Sequence, residues 1–150
     1  MTTLANKAPQ RTLMALALTL VLGLGGCGDS NSAEPLIPFV SFIESISVLD
    51  QRYPQLRTDN GAVEIPGGVR GLIIVRQNAT TYLAFERNCP YRPYDSGCST
   101  VSVDASRLFL ADDCCGSQFT LQGQARGGPA SRPLRQYATS LSGNLLTITN

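Results

Sequence analysis

Nine short β-favouring runs, cut apart by Gly, Pro, Asn and Asp, constrain the fold of this chain more than any other feature. They are "FVSFIESISVL", "GAVEI", "RGLIIVRQ", "TYLAFER", "STVSVD", "RLFLAD", "QFTLQG", "QYATSL" and "LLTIT". None sustains the 3.6-residue period of an amphipathic helix. The one stretch long enough to be argued as a helix, "FVSFIESISVLDQRY", is rich in β-branched and aromatic residues and reads as a strand followed by a loop. "EIPGGVRG" and "LSGNL" carry turn chemistry, and the second joins two closing strands. Many short strands at regular spacing imply an antiparallel all-β domain, a sandwich or barrel. At 150 residues the chain holds one domain with a real core.

The first residues do not belong to that domain. A polar start with Lys7 and Arg11 runs into the apolar "TLMALALTLVLGLGG" and ends at Cys27, the pattern of an export signal rather than of a membrane span. Its close, "LGGC" (Leu24 to Cys27), resembles the lipobox of bacterial lipoproteins. That resemblance implies cleavage before Cys27, a signal peptide of residues 1–26, and lipid on the Cys27 sulfur and amine. More than one acyl chain makes a stable membrane anchor. Gly28 follows the acylated cysteine where an Asp would retain the protein at the inner membrane, so the outer membrane is the expected location. Residues 27–38, "CGDSNSAEPLIP", read as a tether with a reach of roughly 30 Å when extended. The β domain then spans 39–150.

Removing residues 1–26 leaves ten basic against eleven acidic groups, a net charge of −1 with no basic cluster, which argues against a nucleic-acid partner. Export also places the remaining cysteines, Cys89, Cys98, Cys114 and Cys115, where thiols are oxidised. Four cysteines allow three pairings. They sit in two loops, "NCPYRPYDSGC" and "DDCCGSQF", and the strands between them, "STVSVD" and "RLFLAD", would bring both loops to one tip as a hairpin.

These two loops, followed by "GGPASRPL", resemble the Rieske iron–sulfur domain over about residues 60–150. In that family the first loop reads Cys-x-His with a further Cys downstream. The second reads Cys-x-Cys-His-Gly-Ser, and a proline loop of Gly-Pro-Ala type precedes the closing strands. Cys89 falls on the first ligand cysteine, Cys98 and Cys114 on the two bridging cysteines, Gly116 and Ser117 on the Gly-Ser, and Gly128, Pro129, Ala130 and Leu134 on the proline loop. The resemblance implies a Rieske-like antiparallel β fold with a two-loop tip.

Departures from the family pattern fall on the cluster ligands. A Rieske [2Fe–2S] centre has two cysteines on one iron and two histidines on the other. Here Tyr91 stands at the first histidine position, Cys115 at the second and Asp112 at the second ligand cysteine, in a chain with no histidine. Phe119 stands where many high-potential members carry a tyrosine. The family pairs its bridging cysteines, so the resemblance implies a Cys98–Cys114 disulfide. It also leaves Cys89 and Cys115 facing each other across the former cluster pocket, where they would form a second disulfide. Cys114–Cys115 is disfavoured, because adjacent Cα atoms lie about 3.8 Å apart and disulfides need about 4.4 Å or more. Each of the two expected bridges would contribute roughly 3 kcal/mol.

Three functions are therefore in competition. The first is a membrane-anchored, cluster-free Rieske-fold module that binds or braces an envelope protein partner, with no catalytic residue, cofactor or metal; any metal would fall to Cys89 and Cys115. The second is an electron-transfer protein with an atypical [2Fe–2S] cluster. The third is thiol–disulfide exchange at Cys89 or Cys115, without a Cys-x-x-Cys motif to support it. Arg92, Tyr94 and Asp95, with Tyr91, form the expected partner surface at the tip. Asp112 and Asp113 read as backbone caps more than as an acid–base pair, and Ser117 as a bond to the loop backbone. Tyr137 reads as half-buried strand packing. The triplet Asn78-Ala79-Thr80 has the form of a glycosylation site but carries little weight in a bacterial lipoprotein.

Overall fold

Each β-favouring run becomes a strand where its apolar side chains are covered by a partner. The structure, a computed structural model, describes residues 37–150, all within the unit Ala33–Asn150. The expected signal peptide (1–26), Cys27 and most of the expected tether lie outside the described residues. Ten strands form: β1 (Ile43–Ser47), β2 (Ala62–Ile65), β3 (Leu72–Arg76), β4 (Tyr82–Glu86), β5 (Ser102–Val103), β6 (Leu110–Asp112), β7 (Ser117–Phe119), β8 (Ala125–Gly127), β9 (Gln136–Ser142) and β10 (Leu145–Thr149). They make a six-stranded sheet ordered β1-β10-β9-β4-β3-β2 and a four-stranded sheet ordered β5-β6-β7-β8. All pairings are antiparallel, so the domain is all-β as the runs imply. Each of the nine runs overlaps a strand. β8 and a single 3₁₀ turn at Pro54–Arg57 are the additions.

Strand β3 shows why the sheets stack as they do. Its sequence "LIIVR" is buried along four consecutive residues, because both of its faces are covered. Leu72 and Ile74 enter one core with Leu56 of the 3₁₀ turn, Leu146 and Ile148. Ile73 and Val75 point the other way, into a second core with Phe85, Val101, Leu110 and Phe119. That second core joins the two sheets, and each large apolar side chain buried there stabilises the fold by about 1.5–3 kcal/mol. Among the described residues no helix is long and apolar enough to cross a membrane.

This arrangement puts two loops side by side. β4 ends at Glu86, and the chain that follows is pinched at its neck by a bridge between Asn88 and Thr100 and by the Cys89 amide donating to the Ser99 carbonyl at 3.0 Å. β6 ends at Asp112, which pairs directly with Ser117 at the start of β7, so residues 113–116 form a four-residue hairpin turn. The expected tip is therefore present.

Candidate functional site

Three struts fix the first loop from below. Glu86 is completely buried, and its carboxyl oxygens accept from the amides of Val69 (2.7 Å), Arg70 (2.9 Å) and Asn88 (2.9 Å) and from the Tyr137 hydroxyl (2.7 Å). The Asn88 side chain donates to the Pro93 carbonyl at 2.9 Å and accepts from the Ser99 hydroxyl at 3.0 Å. Arg70 reaches across from the β2–β3 turn to the Asp95 and Ser96 carbonyls. The sequence reading missed Glu86, Asn88 and Arg70. An acidic residue inside the apolar run "TYLAFER" was the available signal.

The second loop is a turn organised by Asp112. Its Oδ1 accepts from the amides of Cys114 (3.0 Å) and Cys115 (3.3 Å), and the Gly116 amide donates to its carbonyl at 2.8 Å. Gly116 closes the turn at φ +75°, a conformation that glycine adopts without strain. A disulfide between Cys98 and Cys114, with Cα atoms 5.5 Å apart, laces the two loops together. The proline loop closes over the second loop. Gly128 lies so near that a Cβ on it would meet the Gly116 carbonyl oxygen at 2.2 Å, and the Ala130 amide donates to Ser117 Oγ at 3.1 Å.

Between the loops, Cys89, Asp112 and Cys115 converge. Their sulfurs and one carboxyl oxygen all lie within 4.8 Å of one another. The second bridge expected from the resemblance is not formed in this structure: Cys89 and Cys115 are free thiols. Their sulfurs are 3.9 Å apart against a bond length of about 2.05 Å, and the Cys115 thiol donates to Ser117 Oγ at 3.0 Å. Burial pushes the Cys89 thiol up to about 12; the Tyr91 amide, which donates to its sulfur, lowers it, and Cys115 and Asp112 raise it further. Asp112 is 1% exposed; its carboxyl shares a hydrogen bond with the Cys89 thiol, and its buried Oδ2 meets no N–H or O–H donor.

The other expected site residues separate from this group. Asp113 is exposed while Asp112 is buried, so the two carboxyls do not act as a pair. Tyr91 and Arg92 are exposed and stack on each other, the guanidinium 5.0 Å from the ring centroid. Tyr94 is 67% exposed, and Asp95 is half-buried, accepting from the Gly97 amide at 3.0 Å. Tyr137 differs from expectation: it is 3% exposed, because its ring packs in the first core and against Phe42 while its hydroxyl serves Glu86.

Two cysteine-bearing loops laced by a disulfide and capped by a proline loop, at one end of a two-sheet β domain, make this a Rieske-like fold. Among solved structures the chain is similar to the cyanobacterial plasma membrane Rieske protein PetC3 from Synechocystis PCC 6803. The TM-score is 0.52 at 23% sequence identity, over 70% of this chain and 99% of that one. No family model and no curated protein matches the chain.

The donor set does not fit the cluster for which such folds are named. A Rieske cluster requires two thiolates on one iron and two imidazoles on the other. The chain has no histidine, and the pocket draws two sulfurs and one oxygen together instead of setting two pairs of donors apart.

Proposed function

We propose that this chain is a lipid-anchored Rieske-fold protein of the bacterial envelope that carries no Rieske-type [2Fe–2S] cluster and acts as a binding or structural module. The observation that carries the reading is the identity of the four former ligand positions, Cys89, Tyr91, Asp112 and Cys115, in a chain without histidine. The loops that would hold a cluster are retained as a rigid tip, braced by Glu86 beneath and by the Cys98–Cys114 bridge between them. Tyr91, Arg92 and Tyr94 stand exposed on that tip, and aromatic and Arg side chains are the usual anchors of a protein interface. Lipid on Cys27 would hold the module at the membrane, the outer one by the residue that follows it.

The test is intact mass with thiol alkylation, alongside iron and acid-labile sulfide assays, on the full chain purified without oxygen. The expected result is no iron, one disulfide and two alkylated cysteines, Cys89 and Cys115. About two irons with two sulfides per chain would overturn the reading and make the protein an electron carrier with a new ligand set.

A further inference from the structure

We propose that Cys89, Cys115 and Asp112 form a mononuclear site for a thiophilic divalent cation of the Zn²⁺ class. The site rests on the cluster-free reading, since a cluster would occupy the same space.

Spacing is the first argument. Two thiolates about 2.3 Å from one tetrahedral Zn²⁺ stand about 3.8 Å apart. The sulfurs of Cys89 and Cys115 are 3.9 Å apart with no bond between them. This thiol–thiol contact therefore also matches the separation that a single ion imposes, so binding needs little movement of the two sulfurs.

The second argument is the state of Asp112. It is 1% exposed, and its carboxyl is oriented by the Cys114 and Cys115 amides on Oδ1, while the buried Oδ2 meets no N–H or O–H donor and the carboxyl shares only a thiol hydrogen bond with Cys89. A thiol is a weak donor, so this buried carboxyl lacks a positive partner among the described residues. A cation that displaces the thiol proton supplies it.

Donor chemistry selects the ion. Two thiolates and one carboxylate are too soft for Ca²⁺ or Mg²⁺, which take oxygen ligands. The carboxylate is too hard for Cu⁺, whereas Zn²⁺ accepts sulfur and oxygen donors together. The surroundings already provide the outer contacts such ligands require. The Tyr91 amide donates to the Cys89 sulfur, and Ser117 Oγ, held by the Ala130 amide at 3.1 Å, meets the Cys115 sulfur at 3.0 Å. Three protein ligands leave a fourth position for water, which the half-exposed Cys115 makes accessible.

The experiment is a Co²⁺ titration of the full chain, purified without oxygen and stripped with a chelator, followed by Zn²⁺ competition. One Co²⁺ per chain is expected, with a sulfur-to-cobalt charge-transfer band that Zn²⁺ abolishes, and Zn²⁺ should protect both Cys89 and Cys115 from alkylation. Cys115→Ser should remove most of that band. Asp112→Asn, which keeps an oxygen acceptor for the two amides, should weaken Co²⁺ by more than about tenfold while circular dichroism stays unchanged. If Asp112→Asn fails to fold, Cys115→Ser at its half-exposed position decides the matter alone. No cobalt uptake by folded, reduced protein, or uptake unaffected by these changes, would overturn the site and leave the cluster-free reading standing. Stoichiometric iron and sulfide in the protein as purified would overturn both.

Discussion

Glu86 is a fully buried carboxyl with both oxygens satisfied: Oε1 by the Arg70 and Asn88 amides, Oε2 by the Val69 amide and the Tyr137 hydroxyl. Replacing it with Ala leaves four buried or half-buried donors unpaired, and urea unfolding should show a loss of about 3 kcal/mol or more. Tyr137→Phe removes one of the four and should cost about 1.5–3 kcal/mol. The Tyr137 phenol is raised above its ordinary value, chiefly by burial and then by its hydrogen bond to Glu86. Its contribution is therefore full below the ordinary phenol value and fades as pH rises through the raised one. Absorbance titration should find a phenol that ionises above the ordinary range in the parent and is missing from Tyr137→Phe, and Tyr137→Phe should lose less stability at high pH than the parent. Little of this was legible in "TYLAFER". Alternation places Glu86 on a strand, but the groups that meet its carboxyl come from 16, 17 and 51 positions away, a pairing that only the finished fold creates.

At the level of elements, the second hairpin and the loop that lies on it depend on two glycines in different ways. Gly116 needs its positive φ but has open space around it, so Gly116→Ala should cost about 1–2 kcal/mol of backbone strain and little else. Gly128 combines φ +78° with backbone atoms of Gly116 and Ser117 under 3 Å from any added Cβ. Gly128→Ala should therefore lift the proline loop, take the Ala130 amide off Ser117, lower Tm more than Gly116→Ala does, and speed alkylation of Cys115. Both variants can be compared in one melting and alkylation series. The strands around these loops were legible because they fall in β-branched and aromatic runs bounded by Gly, Pro, Asn and Asp. β8 was not: three residues, "ARG", pair with β7 across a register shift at Gln118 and Phe119, and nothing local announces such a partner. The loops themselves were readable through the order Cys, Cys, Cys, Cys-Gly-Ser and Gly-Pro-Ala. The approach of the Cys115 thiol to Ser117 could not be read, because Ser117 is set by the hairpin pairing and by the Ala130 amide from a distant loop.

For the whole molecule, the proposed location depends on Cys27, which lies outside the described residues. The cores and the sulfur–carboxyl pocket of the described domain are built from residues 37–150. A single acyl chain gives only marginal membrane binding, whereas the diacylated sulfur and acylated amine implied by the lipobox would hold the protein firmly. Exported behind an ordinary cleavable signal in place of residues 1–26, so that no apolar segment is left on the chain, Cys27→Ser should move the protein from the membrane fraction to the soluble one. Intact mass should show the lipids gone, while Tm and Co²⁺ uptake remain those of the parent. The near-neutral mature chain, −1 after removal of residues 1–26, offers no basic patch to hold it at an anionic surface once the lipid is lost. A Cys27→Ser protein that stays with the membrane and resists salt would thus place the anchor elsewhere and overturn the lipoprotein reading. If it is released but still pulled back by membranes carrying their proteins and not by bare vesicles, the tip has a protein partner. The exposed Tyr91, Arg92 and Tyr94 are then the first residues to replace.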